Sequence, residues 1–184
     1  MALVASVHVD SGWSLPDMVL SDLSGCDVRL TELAGSEGLL VVFTCNHCPY
    51  ALAVWPRLIR HAAELAAMGI QTVAINPNIH PDYPADSVAA MQEKVAEWGI
   101  AFPYLADPTQ TVARAFEAQC TPDIYMFDRH GRLYYHGRID DAWKDEAKVT
   151  RQELLMAAEL MISGENPPSP QHPTIGCSIK WKEA

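Results

Sequence analysis

No run in these 184 residues stays apolar for the roughly 18 positions that a membrane-spanning helix needs, and no segment repeats. No basic stripe forms either: the 13 Lys and Arg are scattered and outnumbered by 23 Asp and Glu, for a net charge of -10. A chain of that charge repels a phosphate backbone, so nucleic acid and membrane are both excluded as expected partners. The opening Met1–Asp10 lacks the basic region and the apolar length of a secretory signal. Five cysteines, an odd number, do not make a secreted disulfide framework, and the expected address is the cytoplasm. A second Cys-x-x-Cys and a His-x-x-x-His are missing too, which leaves few ligands for a metal. Pro49 stands where a c-type haem site needs His. What is present, 49% apolar and 20% charged residues, is the balance of a globular chain long enough for one core. Residues 1–184 are therefore expected to form a single domain.

Hydrophobic spacing predicts an α/β class. Leu39–Phe43 is a continuous apolar run, as in a strand buried on both faces, and 50–68 carries helical spacing through Trp55, Leu58, Ile59, Ala62 and Leu65. Gly69 ends that helix, and Ile70–Ile75 supplies a second strand, completing a parallel βαβ unit. A helix over 86–98 closed by Gly99, a strand over 101–105 and a helix over 108–118 follow. Thr121-Pro122 breaks the last of these. Strands at 124–127 and 132–139 are joined through Asp128–Gly131, and a final helix spans 149–162. Met18–Leu30 forms a small hairpin around Gly25. The Pro-rich stretch from Gly164 predicts a tail, 164–184, that leaves the domain in extended form. Such a tail can also fold over a site or cover an exposed edge.

The chemistry lies in Cys45-Asn46-His47-Cys48, between the strand ending at Phe43 and the helix starting near Pro49. A helix N-terminus offers unpaired N–H groups and the positive end of the dipole, so a thiol there ionises below its free pKa of about 8.5. Pro fits the first helical position because its missing N–H costs nothing there. Two intervening residues also let both sulfurs close a small disulfide ring. His47 is expected to be a solvent-facing imidazole, with lowering of the thiol pKa or proton relay as its functional alternative. Cys26 sits in the predicted hairpin turn and is assigned no role. Trp55, Trp98 and Tyr134-Tyr135 are expected to pack.

These residues resemble the thioredoxin-like superfamily, and more closely its AhpC/TSA peroxiredoxin-like branch. Gly12-Trp-Ser-Leu-Pro-Asp is similar to the branch's usual entry and Phe102-Pro-Tyr-Leu-Ala-Asp-Pro108 to its mid-domain strand. Thr121-Pro122 resembles the cis-proline facing the active cysteine, and Gly176–Lys182 the tail of a subgroup carrying Cys-Asn-His-Cys-Pro-Tyr. The resemblance implies a thioredoxin-like fold: a central mixed β-sheet flanked by helices, extended by the N-terminal hairpin and the Pro-rich tail. It also implies a cis Pro122. Cys48 followed by Pro56 keeps the family's spacing between the nucleophilic cysteine and a helix-kinking proline. The thioredoxin second cysteine, and the peroxidatic cysteine of true peroxiredoxins, would both fall at Ala51 and are missing.

The resulting expectation is a thiol–disulfide oxidoreductase with Cys48 as nucleophile, Cys45 as the resolving partner and Thr121-Pro122 beside them. Cys120, His47 and Cys177 are further candidates. No cofactor is required, and the substrate is a protein or small-molecule disulfide or thiol. Two alternatives stand beside it. One is an atypical peroxidase, in which Cys48 becomes a sulfenic acid captured by Cys45, Cys120 or Cys177. The other is copper or zinc binding through Cys45, Cys48 and His47 or Cys120. Nothing in the residues sets the oligomeric state or the physiological substrate.

Overall fold

The computed structural model describes residues 3–7 and 12–182. Along them run β1 (Leu3–Ala5), β2 (Val19–Ser21), β3 (Asp27–Arg29), β4 (Gly38–Phe43), α1 (Pro49–Ala67), β5 (Ile70–Asn76), α2 (Val88–Trp98), β6 (Tyr104–Ala106), α3 (Thr111–Ala115), β7 (Cys120–Thr121), β8 (Asp123–Asp128), β9 (Leu133–His136), α4 (Glu153–Ile162) and β10 (Ile175–Ser178). Seven strands form one sheet in the order β3-β2-β6-β5-β4-β8-β9. β4, β5 and β6 are parallel, while β8 and β9 continue the sheet antiparallel, so the sheet is mixed. This is the thioredoxin-like α/β architecture that the sequence implied.

Strand β4 is apolar throughout because both its faces are covered. Successive side chains alternate between faces. Leu40 and Val42 join Val54, Trp55 and Leu58 of α1 and Leu154 of α4 on one face. Leu39, Val41 and Phe43 join Val112 and Phe116 on the other. Gly69 has φ +84, which lets the chain turn straight from α1 into β5, and Gly25 (φ +88) and Gly131 (φ +70) turn the two hairpins.

Several boundaries are tighter than the spacing predicts. The helix expected over 108–118 is one turn, Thr111–Ala115, because Gln110 (φ 60) and Glu117 (φ 54) on either side take the left-handed conformation. Helix α2 starts at Val88, with Ser87 as its cap accepting from Ala90 N–H, while Pro84–Asp86 forms a separate 3-10 turn. Before α4, Asp141 accepts from the N–H groups of Thr150 and Arg151 and holds 149–152 out of the helix.

The largest correction concerns the tail. It does not leave the domain: β10 lies between β1 and β7 in a second, three-stranded antiparallel sheet. A segment this rich in Pro offers few N–H groups to a ladder, so side chains secure it instead. Gln171 bridges the backbone of Tyr134 and His136, and Thr174 donates to the Gly137 carbonyl at 2.9 Å. Beyond β10, Asn78 accepts from Lys180 N–H and Gln110 from Lys182 N–H, both at 2.8 Å.

Candidate active site beneath the tail strand

Thr44 N–H makes the last rung of β4, to the Ile75 carbonyl, and the chain then leaves the sheet at the C-terminal end of its parallel strands. Asn46 fixes the loop that follows. Its N–H donates to Asp86 at 2.6 Å, its amide donates to the Ala85 carbonyl, and its side-chain oxygen accepts from the Tyr104 hydroxyl. The Trp55 indole N–H reaches the Cys45 carbonyl at 3.4 Å. Cys48 becomes the N-cap of α1 with Pro49 at its first position, as the sequence predicts.

Both sulfurs are buried, and they share Thr121. The Cys48 sulfur lies 3.2 Å from the Thr121 carbonyl oxygen, to which it donates when protonated, and the Cys45 sulfur lies 3.3 Å from the Thr121 hydroxyl. The Thr121–Pro122 bond is cis, as the resemblance implies. Cys45, Cys48, Ala51 and Cys177 form one small apolar cluster, with Tyr50 packed against it. Ala51 thus occupies the place beside Cys48 where the family pattern would put a cysteine.

The environment splits the two thiols. Cys48 is lowered to about 4, first by the hydrogen bond from Cys45, against the opposing effect of burial, then by Cys177 and the first-turn N–H of Ala51. Cys45 is raised well above its ordinary value, first by burial, then by its hydrogen bond to Cys48 and the nearby charge of Asp86. At neutral pH the pair is therefore one thiolate and one thiol. Helix position, on which the sequence argument rested, supplies one N–H; the neighbouring thiols contribute more.

His47 is not solvent-facing. Only 14% of its side chain is exposed; Nδ1 bonds to the fully buried Asp86 and the ring stacks on Tyr83 at 4.6 Å. Its Nε2 is buried with no partner among the described residues. Asp86 is the main residue that sequence reasoning missed. The sequence places it as the first residue of a helix, a common place for Asp, but it accepts from Asn46 N–H, the Asn76 amide and His47. Only the folded chain brings positions 46, 47, 76 and 86 together. Cys45, His47 and Asp86 also place ligand-type atoms within 4.8 Å of one another, a group able to hold a metal ion. Against the expected set of Cys45, Cys48 and His47, Asp86 stands in place of Cys48; against that of Cys45, Cys48 and Cys120, only Cys45 is shared.

Cys120 is buried, with its thiol spent on the Pro122 carbonyl at 3.3 Å and held protonated by burial. Cys26 is exposed in the β2–β3 turn, away from the site. Trp143, for which the sequence carried no signal, stacks on Tyr50 at 3.9 Å. Beside Pro122 a cleft of about 60 Å³ opens between Tyr50, Val54, Ile139, Trp143 and Ile175.

Residues 12–136 match the model of the AhpC/TSA family. The chain is 25% identical over 123 residues to the thiol-disulfide oxidoreductase ResA of Halalkalibacterium halodurans, an alignment covering 67% of this chain and 65% of that protein. The chain thus spans just under two thirds of that relative. A crystal structure of an uncharacterized conserved protein from Geobacillus kaustophilus superposes with a TM-score of 0.94 at 38% identity, covering 100% of this chain and 98% of that one. Peroxidoxin BcpB from Mycobacterium tuberculosis shares the fold, with a TM-score of 0.65 at 17% identity over 85% of this chain and 98% of that one.

Proposed function

Because the chain belongs to the AhpC/TSA family, we propose that it is a thiol–disulfide oxidoreductase in which the Cys48 thiolate is the nucleophile and Cys45 a resolving thiol. The observation that carries this reading is the split between the two sulfurs, one held as thiolate and its neighbour held protonated. ResA, the similar relative, is named for the same class of reaction. In the proposed cycle the Cys48 thiolate attacks one sulfur of a substrate disulfide and displaces the other as a thiolate. A mixed disulfide with Cys48 results. Cys45 loses its proton and attacks the Cys48 sulfur, forming Cys45–Cys48 and releasing the second substrate thiol. The substrate gains two electrons from the two protein sulfurs, one proton from Cys45 and one from solvent, because Cys48 enters the cycle as a thiolate. The Thr121 hydroxyl, 3.3 Å from Cys45, positions the resolving sulfur, and the Thr121 carbonyl oxygen lies 3.2 Å from Cys48.

Reduction of a model disulfide, such as glutathione disulfide, should fall to background in Cys48→Ser while the circular dichroism stays unchanged. Full activity in that variant overturns the reading. Protein and small-molecule disulfides are both within the proposed substrate class. A cytoplasmic setting, consistent with an odd number of unpaired thiols, and action of residues 1–184 as one unit belong to the same proposal.

Two alternatives have their own support. A thiolate at Cys48 within an AhpC/TSA chain suits attack on a peroxide, giving a sulfenic acid and an alcohol or water. Stoichiometric peroxide consumption by reduced protein separates this antioxidant role from disulfide exchange. The Cys45, His47 and Asp86 group favours zinc or copper(I) binding, which metal analysis of untreated protein decides.

A further inference from the structure

The tail strand brings a third thiol to the site. Cys177 is 4% exposed, sits in β10 and belongs to the same buried cluster as Cys45 and Cys48. In the antiparallel pairing of β10 with β7 it lies directly opposite Thr121, the residue whose carbonyl oxygen is 3.2 Å from the Cys48 sulfur. The approach of the two strands is closer than a side chain at 176 would allow: a Cβ on Gly176 would sit 2.2 Å from the Thr121 carbonyl oxygen. The hydrogen bonds from Asn78 and Gln110 fix the segment that follows β10. A paired strand thus holds Cys177 in the same cluster as Cys48, where the two thiols interact.

We propose that Cys177 is a second resolving thiol for Cys48, so that the centre holds two alternative disulfides, Cys45–Cys48 and Cys48–Cys177. The inference rests on the reading of Cys48 as the nucleophile. In the step, the Cys48–substrate mixed disulfide is attacked at the Cys48 sulfur by Cys177. The Cys48–Cys177 bond forms, the bond to the substrate sulfur breaks, and the substrate leaves as a thiolate that takes up the proton lost by Cys177. No other oxidant is needed, because the substrate disulfide accepts both electrons.

The electrostatics favour this order of events. Cys177 is pushed up to about 11, first by burial and then by its interaction with Cys48, while Lys180 acts in the opposite direction. Conversion of Cys48 to a mixed disulfide removes its negative charge, and with it the part of the rise that Cys48 causes. Cys177 therefore becomes easier to deprotonate at the stage where it is needed. Cys45 also loses its interaction with the Cys48 charge but keeps its deeper burial and the charge of Asp86.

The experiment compares wild type, Cys45→Ser, Cys177→Ser and the double variant Cys45→Ser/Cys177→Ser, each reduced and then treated with glutathione disulfide. Intact-mass and peptide-mapping spectrometry follow the Cys48–glutathione adduct, and circular dichroism checks the fold of each variant. Cys45→Ser is expected to lose its adduct and accumulate Cys48–Cys177, whereas the double variant keeps the adduct. If Cys45→Ser holds its adduct as long as the double variant does, with Cys177 still alkylatable, Cys177 is not a resolving thiol. If wild type itself neither forms an adduct nor reduces glutathione disulfide, it is the oxidoreductase reading that fails. Cys177→Ser, with Cys45 intact, should still clear its adduct.

Discussion

At the scale of single residues the site is governed by hydrogen bonds to one sulfur. Cys48 accepts from Cys45, Cys177 and Ala51 N–H, and these outweigh the cost of burying its charge. Alkylation of reduced protein by iodoacetamide should therefore follow a thiolate titrating near 4, with the rate falling as pH drops through that value. Replacing Cys45 by Ala removes the first cause. A hydrogen bond to a charged group contributes about 1.5–3 kcal/mol, so the midpoint should rise by about 1–2 pH units. Thiolate absorbance near 240 nm checks both profiles; an unmoved midpoint in Cys45→Ala refutes the assignment. The stability of the reduced protein follows the same linkage. The folded-state pKa of Cys48 is depressed, so its contribution is present in full above the unfolded thiol's pKa and is lost as pH falls through about 4. Cys48 and its helix N-cap position were legible in the sequence. Asp86 was not, because an Asp beside a helix start looks like an ordinary cap until the fold turns it inward onto Asn46 and His47.

At the scale of elements the decisive object is β10. Its place between β1 and β7 closes the sheet edge next to the cis-proline and covers the cluster around Cys48. Gly176 permits that approach, because an added Cβ would meet the Thr121 carbonyl group, which is backbone and cannot rotate away. Gly176→Ala should cost about 1–3 kcal/mol, the usual range for overpacking. It should also raise the alkylation rate of Cys48 by a bulky maleimide and lower the yield of Cys48–Cys177. Urea denaturation and alkylation kinetics measure the effects; a variant as stable and as protected as wild type refutes this account of β10. The sequence predicted an extended, Pro-rich run from Gly164 but not its destination. The side chains that dock it, Gln171 and Thr174, bond to the backbone of β9 and of Gly137 just beyond it, 35 and 37 residues earlier in the chain. No local pattern signals such a contact.

At the scale of the whole molecule, α1 ties the site to the rest of the fold. Arg57, 3% exposed, pairs with the still more buried Asp140 at 2.6 Å and also donates to the Ala53, Ala142 and Trp143 carbonyls. It thereby fixes the segment after β9 that carries Trp143 onto Tyr50. Arg57→Ala strands the Asp140 charge without its partner, and breaking a buried pair in this way costs roughly 3–5 kcal/mol. The midpoint of urea unfolding should drop accordingly, and a change within experimental error refutes the role given to this pair.

The sequence by itself determined the α/β class, the βαβ core and the two-cysteine loop at a helix start. Those features are written in local periodicity, in Gly and Pro placement and in the spacing of Cys45 and Cys48, all of which act over a few residues. Only the tertiary structure decided that neighbouring thiols do most to hold Cys48 ionised, that Asp86 stands behind the loop, and that Cys177 shares the Cys48 cluster. Burial, a carboxylate ten residues beyond its Asn76 donor and a strand arriving from the far end of the chain are products of long-range packing, and short-range patterns carry no record of them.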